Sequence, residues 1–289
     1  MARLLRGVPV AAQLVEEVAE RAAALAERGT VPTLAVVRVG EAPGDLAYER
    51  GILKRAERCG VAARREVFAE DVTQAELLAC VERLNADAAV HGCLIFRPLP
   101  AGLDEEALCG ALAPEKDMDG ITPGALYGVF ADRTVGFAPC TAEAVVELLE
   151  RSDVPLEGAR VCVVGRSLVI GRPVSLMLLS RNATVTMCHT RTRDLDAECA
   201  RADVLVVAAG HAATVGTAAV RQGQTVVDVG INADPVTGAL VGDVAFDEVE
   251  PIVDAITPVP GGVGAVTTAV LMRHVVEAAE RSLATGVDM

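Results

Sequence analysis

The stretch from 160 to 179 constrains this chain most. Val161-Cys162-Val163-Val164 is an apolar run of strand length, and Val174 to Leu179 is a helix-forming run. Between them lies Gly165-Arg166-Ser167-Leu168-Val169-Ile170-Gly171-Arg172-Pro173. A strand that turns through glycine into a helix N-terminus aims backbone N–H groups and the positive end of the helix dipole at one spot, which suits a pyrophosphate. The spacing is G-x-S-x-x-x-G-x-P, a departure from the commoner G-x-G-x-x-G. Ser167 puts a hydroxyl where a second glycine would stand. Pro173 is expected at the first helical position, where its missing N–H costs nothing. Arg166 offers a fork of donors for a ribose 2′-phosphate, which points to NADP over NAD; it reads equally as a solvated surface arginine. The bland alternative for the whole segment is an ordinary tight strand–helix turn.

The rest of the chain supports a nucleotide-binding α/β protein. Its 289 residues suffice for two modest domains. Apolar residues make up 52% and aromatics only 2%. A core of Ala, Val, Leu and Ile suits parallel sheets covered on both faces. The net charge of −14 disfavours nucleic acid or an anionic membrane as a main partner. The N-terminal stretch, interrupted by Glu16 and Glu17, does not read as a signal peptide. No run approaches the ~18–20 apolar residues of a membrane span. The cysteines are scattered without C-x-x-C spacing, so no metal site is expected, and they read as buried small hydrophobes. A cytoplasmic setting follows as the expectation.

Periodicity places a helix over 10–28, a strand at 34–37, a helix over 43–58 and a strand at 65–68. Thr73 should cap a helix reaching Asn85, with Glu76 at the capping-box position. Gly92 to Phe96 reads as a buried strand, and Asp104 to Leu112 as a short helix. This half is βαβαβα with at least three parallel strands. Beyond Phe137, Thr141 should cap a helix reaching Glu150. Strands follow at 160–164, 183–188, 203–208 and 225–229. Thr257-Pro258-Val259-Pro260-Gly261-Gly262-Val263-Gly264 cannot be regular structure and suits a loop at a ligand; a last helix runs from about Ala265 to Leu283.

Several further segments carry a resemblance. They are Pro114-Glu115-Lys116-Asp117-Met118-Asp119-Gly120, Pro139-Cys140-Thr141, Asp228-Val229-Gly230-Ile231-Asn232, Val241-Gly242-Asp243-Val244 and the 257–264 loop. In this order and spacing, with the turn at 165–173, the chain resembles the methylenetetrahydrofolate dehydrogenase/cyclohydrolase family from Val8 to about residue 280. The resemblance implies an N-terminal βαβ folate-binding domain (1–139 with 265–289), a Rossmann-like NADP domain (140–264), a folate cleft between them, and a homodimer. It implies NADP-dependent oxidation of 5,10-methylenetetrahydrofolate to the methenyl cation, which family members then hydrolyse. Tetrahydrofolate is the one-carbon carrier. The implied substrate contacts are Tyr48, Asp119 (which holds the pterin ring), Pro260, Gly261, Gly262 and Thr267. The implied cofactor contacts are Gly165, Arg166, Ser167, Gly171, Pro173, His189, Thr190 and Ile231. Near the 2′-phosphate region, His189 reads equally as a structural strand-end histidine.

Two departures fall where the resemblance puts catalysis. The family has Tyr-x-x-x-Lys; here Tyr48 is followed at that spacing by Ile52, and Lys54 matches a second family lysine two residues on. A helix turns about 100° per residue, so i+4 faces as i does while i+6 points about 120° away. Lys54 therefore reads as a solvated surface lysine. The family glutamine thought to orient the catalytic lysine is Phe96 here, in Leu94-Ile95-Phe96-Arg97-Pro98-Leu99-Pro100. Losing both is coherent, because a buried amide without its partner is costly. At the folate loop, Ala265-Val266-Thr267 stands where the family has Pro-Met-Thr. Oxidation yields a cation stabilised by its flanking nitrogens and needs no base on carbon. Hydrolysis needs general acid–base help, worth about 100- to 10,000-fold. The expectation is a dehydrogenase whose cyclohydrolase is weak or absent. Three alternatives stay open: a paralogue passing a one-carbon unit to another acceptor in specialised metabolism, a non-catalytic folate- or nucleotide-binding protein, or an ordinary bifunctional enzyme rescued by another side chain such as Arg97 or Lys54.

Overall fold

The computed structural model describes residues 1–235 and 237–286. In chain order it has β1 (Arg3–Leu4), α1 (Gly7–Glu27), β2 (Thr33–Val39), α2 (Pro43–Arg58), β3 (Ala62–Phe68), α3 (Gln74–Ala86), β4 (Gly92–Ile95), α4 (Glu105–Ala111) and α5 (Pro123–Ala131). Then follow α6 (Cys140–Arg151), β5 (Arg160–Val164), α7 (Gly171–Leu179), β6 (Thr184–Cys188), α8 (Leu195–Ala200), β7 (Val204–Val207), β8 (Thr225–Asp228), β9 (Asn232–Ala233), β10 (Leu240–Val241), α9 (Phe246–Val249), β11 (Ala255–Ile256) and α10 (Val263–Gly286).

Packing divides the chain into two units, one of residues 13–140 with 268–289 and one of residues 1–12 with 141–267. The expected division put residues 1–139 together. The first dozen instead join the second unit, because β1 pairs in parallel with β11, Arg3 opposite Ala255. A two-residue strand has no periodicity to announce it. Residues 236 and 287–289, inside the expected segments 140–264 and 265–289, lie outside the described residues.

The unit of 13–140 holds a parallel sheet in the order β3-β2-β4. The central strand β2 is buried from Leu34 through Val39, as a near-continuous apolar run on a sheet covered on both faces should be. Ala35, Val37 and Val39 pack with Leu77, Val81 and Leu84 of α3. Arg38 is the exception to the apolar run. It is only 2% exposed, and its Nε lies 3.3 Å from Glu49 Oε2 of α2, while Nη1 donates to the Gly40 carbonyl. Arg65 of β3 adds two contacts to the same carboxylate at 2.9 and 3.1 Å. Burying charge requires such pairing, and this one ties α2 to β2 and β3. The α3 capping box is complete: Thr73 Oγ1 accepts from Glu76 N, and the Glu76 carboxylate accepts from Thr73 N.

The second unit holds a six-stranded parallel sheet in the order β1-β11-β8-β7-β5-β6. From β5 the chain goes to β6 on one side and then to β7 on the other. That reversal makes the carboxyl end of β5 the topological switch point, where open α/β sheets bind ligands. Thr141 is not the cap expected of it. Helix α6 already begins at Cys140, so Thr141 lies inside the first turn. The cysteines form no disulfide and are all buried, as small and largely apolar side chains are.

Candidate active site

The glycine turn leaves β5 at the switch point. Gly165 sits at φ +134°, and a Cβ there would collide with the Ala208 carbonyl that follows β7. A Cβ on Gly171 would collide with the Gly165 carbonyl and come within 2.7 Å of Arg166 N. The turn closes this tightly only with glycine at both ends. Ser167 Oγ accepts from the amides of Ile170 (3.1 Å) and Gly171 (3.4 Å) and keeps its own proton to donate. Helix α7 starts at Gly171, so Pro173 is its third residue rather than its first. The physical allowance is the same, since N–H groups throughout the first turn lack intrahelical partners. Arg166 and Ser167 are exposed, while Gly171 and Pro173 are buried. This cradle, with a free hydroxyl, an exposed guanidinium and a helix N-terminus, fits a dinucleotide.

The adjacent strand end brings further groups to the same edge. Val164 of β5 pairs with Cys188 of β6, so His189 and Thr190 leave the sheet beside Gly165 and Arg166. His189 is half-buried; its N–H donates to Thr192 Oγ1 at 2.8 Å, and its Nδ1 accepts from Arg191 N at 3.1 Å. The second bond gives the ring a structural contact in the turn. Thr190 and Arg191 are exposed.

A third segment is laced by two buried aspartates. The Asp228 carboxylate accepts from the amides of Gly230, Asp243 and Val244, each at 2.9 Å. Asp243 accepts from Gly210 N at 2.8 Å and Asn232 Nδ2 at 2.9 Å. Burial pushes the Asp228 carboxyl up to about 6, against the pull of its three amide donors. Gly242 is required, because a Cβ would run into the Asp228 carboxylate. The lacing presents Ile231, 67% exposed, at the mouth of a cavity of about 320 Å³ that Pro260, Gly261 and Gly262 also line. Thr267 lies in the first turns of α10, its hydroxyl donating to Val263 O at 3.4 Å. Sequence reasoning quoted both aspartates without giving them a task. The signal available was two Gly-Asp or Asp-x-Gly pairs bracketing a short hairpin.

In the unit of 13–140, α2 and the end of β4 bring Tyr48 and Phe96 together, ring centroids 5.4 Å apart and tilted by 43°. Ile52, one turn on from Tyr48, has no exposed surface at all. It belongs to the interior, because α2 turns the face carrying Ile52 and Ala56 into the core. Lys54 is exposed. Burial pushes the Tyr48 phenol up, and Asp119 adds to the shift.

Asp119 lies in a turn held from several sides. Thr122 N donates to Asp117 Oδ2 at 2.7 Å. The Met118 carbonyl meets Cys140 Sγ at 3.0 Å and His274 Nδ1 at 2.9 Å. Gly120, at φ +64°, packs so closely on 137–139 that a Cβ would lie 2.7 Å from Phe137 O. The Asp119 carboxyl is driven up by burial and pulled back by Arg97, whose Nη2 donates to Oδ2 at 3.1 Å. Sequence reasoning missed this pair; nothing local in the sequence links the two positions. Among the described residues, no group of three or more His, Cys, Asp or Glu is placed to hold a metal ion.

A parallel sheet with a glycine cradle at its strand-order reversal, and a second parallel α/β unit carrying a partly polar cluster, define a two-domain α/β protein of the dinucleotide-binding class. Residues 5–119 match the family described as tetrahydrofolate dehydrogenase/cyclohydrolase, catalytic domain, and residues 139–283 match its NAD(P)-binding domain. The chain belongs to this family. A bifunctional protein FolD of Carboxydothermus hydrogenoformans is 48% identical over 281 residues, covering 97% of this chain and 98% of that protein. The solved bifunctional methylenetetrahydrofolate dehydrogenase/cyclohydrolase of Campylobacter jejuni superposes with a TM-score of 0.94 at 38% identity, over 97% of this chain and 99% of that one. The Trypanosoma brucei enzyme, solved with NADP and an inhibitor, gives 0.91 at 36% identity, with 98% of each chain covered.

Proposed function

We propose that this protein oxidises 5,10-methylenetetrahydrofolate to 5,10-methenyltetrahydrofolate with NADP, and that its cyclohydrolase activity is weak or absent. The similarity to FolD enzymes along the whole chain supports the first half. The side chains at 52 and 96 carry the second. NADP, when bound, supplies the hydride acceptor. Gly165, Ser167 and Gly171 cradle its pyrophosphate, Arg166 with Thr190 and Arg191 meets the 2′-phosphate, and Ile231 packs against it. In the unit of 13–140, Tyr48 and Asp119 hold the folate. Orientation and dry packing suffice for hydride transfer to a preformed acceptor. Hydrolysis requires a group that moves protons at neutral pH. A phenol raised above its ordinary value of about 10 is a poor base there, and Ile52 and Phe96 have none to offer.

The test is NADPH formation from methylenetetrahydrofolate by the purified chain, with NAD in parallel. The reading requires turnover that depends on both substrates and favours NADP; binding without turnover would instead make the protein a folate- or nucleotide-binding one. We also assign it to the cytoplasm and to a homodimer. Among the described residues no helix is long and apolar enough to cross a membrane. The edge strand β6 leaves Met187 38% exposed, a surface that edge pairing between copies would cover. Light scattering of the purified chain checks the dimer.

A further inference from the structure

Arg97 leaves the end of β4 next to Phe96 and reaches Asp119, the carboxylate that the folate reading gives to the pterin ring. The guanidinium is forked between two acids. Nη2 donates to Asp119 Oδ2 at 3.1 Å, and Nη1 lies 3.7 Å from Glu105 Oε1. Glu105 is itself anchored, its Oε2 accepting from Leu99 N at 3.0 Å. The Arg97 and Asp119 side chains are 22% and 26% exposed, so the pair is accessible yet partly desolvated. Glu105, at 38%, is the more solvated end.

A guanidinium presents parallel N–H donors to a carboxylate in a planar fork. The 2-amino-pyrimidinone edge of a pterin, with its ring N–H and exocyclic amine, presents the same N–C–N donor pattern. A pterin bound through both donors needs both oxygens of Asp119, and Arg97 Nη2 already holds Oδ2, so the two compete for that oxygen. Resting on the folate reading above, we propose that Arg97 is an internal competitor of the pterin for Asp119, and that Glu105 is the alternative seat that receives the guanidinium when the ring binds. Arg97 is thereby a specificity-determining residue. It exacts part of the binding energy of every ligand, so a ligand must bring a fork of donors able to replace it. Rings with a weaker donor edge are excluded, because they would leave Asp119 without its partner. Glu105 acts through Arg97 and is a positioning residue.

The experiment is a double-mutant cycle on the dissociation constant of tetrahydrofolate, read by calorimetry on the full-length protein, with NADP binding as the control for folding. Arg97→Met removes the competitor and should tighten tetrahydrofolate by about 3- to 10-fold, the range of one partly exposed ion pair, with KM falling and kcat changing less. Arg97→Lys keeps the charge without the fork and should fall between. Glu105→Gln removes the alternative seat and should weaken binding in the parent, but have no effect in the Arg97→Met background. Weaker binding in Arg97→Met would overturn the proposal by making Arg97 a direct folate contact. An unchanged constant, or a Glu105→Gln effect that persists without Arg97, would overturn it too while leaving the folate reading intact. If neither the parent nor Arg97→Met binds tetrahydrofolate while both bind NADP, the folate reading itself fails and takes the proposal with it.

Discussion

If positions 52 and 96 limit hydrolysis as proposed, converting Ile52 to lysine and Phe96 to glutamine together should raise it. Ile52 is 0% exposed and Phe96 6%. Exchanging each buried apolar side chain for a polar one forfeits about 1.5–3 kcal/mol of burial. Removing the Phe96 ring also breaks its contact with Tyr48, worth about 0.5–1.5 kcal/mol beyond area. Each new polar group supplies the other with a hydrogen-bond partner, so the double change costs less than its parts left unpaired. The expected destabilisation is about 4–7 kcal/mol, which a domain of ordinary stability can just survive. In return the buried ammonium has its pKa driven down toward neutrality, where a lysine works as a general base. Hydrolysis of the methenyl cation, followed by loss of its absorbance, should rise about 100- to 10,000-fold over the parent. Circular dichroism and NADP binding confirm that the variant is folded. A folded, NADP-binding double variant with less than about a tenfold gain would refute the reasoning, and so would a parent that already hydrolyses far above the uncatalysed rate.

Gly171→Ala should weaken NADP at least tenfold while leaving tetrahydrofolate binding in place, since the new Cβ must force apart the Gly165 carbonyl and Arg166 N; titration calorimetry with each ligand reads both. Glu49→Gln should cost about 3–5 kcal/mol in guanidinium denaturation, because it strips Arg38 of its buried carboxylate, whereas Arg38→Met with Glu49→Met should recover most of the loss. Asp228 should titrate near pH 6. Its folded carboxyl holds its proton above the usual unfolded value, so its contribution to stability is fully present below about pH 4 and falls by about 3 kcal/mol as pH rises to 6. A carboxyl resonance with that midpoint, missing in Asp228→Asn, is the check.

Much of the fold could be read from local signals, and the limits of that reading have physical causes. Helix α2 falls over 43–58 as its charge periodicity implies, and the Thr73–Glu76 box forms because both partners lie within one turn. Helix α5 was equally legible and went unread: Thr122 accepts from Ala125 N, and Pro123 opens the helix. Strands β1 and β11 were not legible, because two residues carry no period and their pairing joins positions some 250 apart in sequence. The spacing places Ile52 one turn on from Tyr48 but does not reveal its full burial, since spacing gives the face of a helix and not its depth. The Arg97–Asp119 pair depends on the chain folding Asp119 back to the end of β4, where Asp117 bridges to Cys93.

The most direct measurement is the product balance of one reaction. The protein is supplied with methylenetetrahydrofolate and NADP, and methenyl- and 10-formyltetrahydrofolate are quantified against NADPH as it forms. The account predicts one methenyl cation accumulating per NADPH, with the formyl compound appearing only at the uncatalysed rate. Formyl product rising in step with NADPH would contradict it, and would mean that a side chain other than those at 52 and 96 moves the protons.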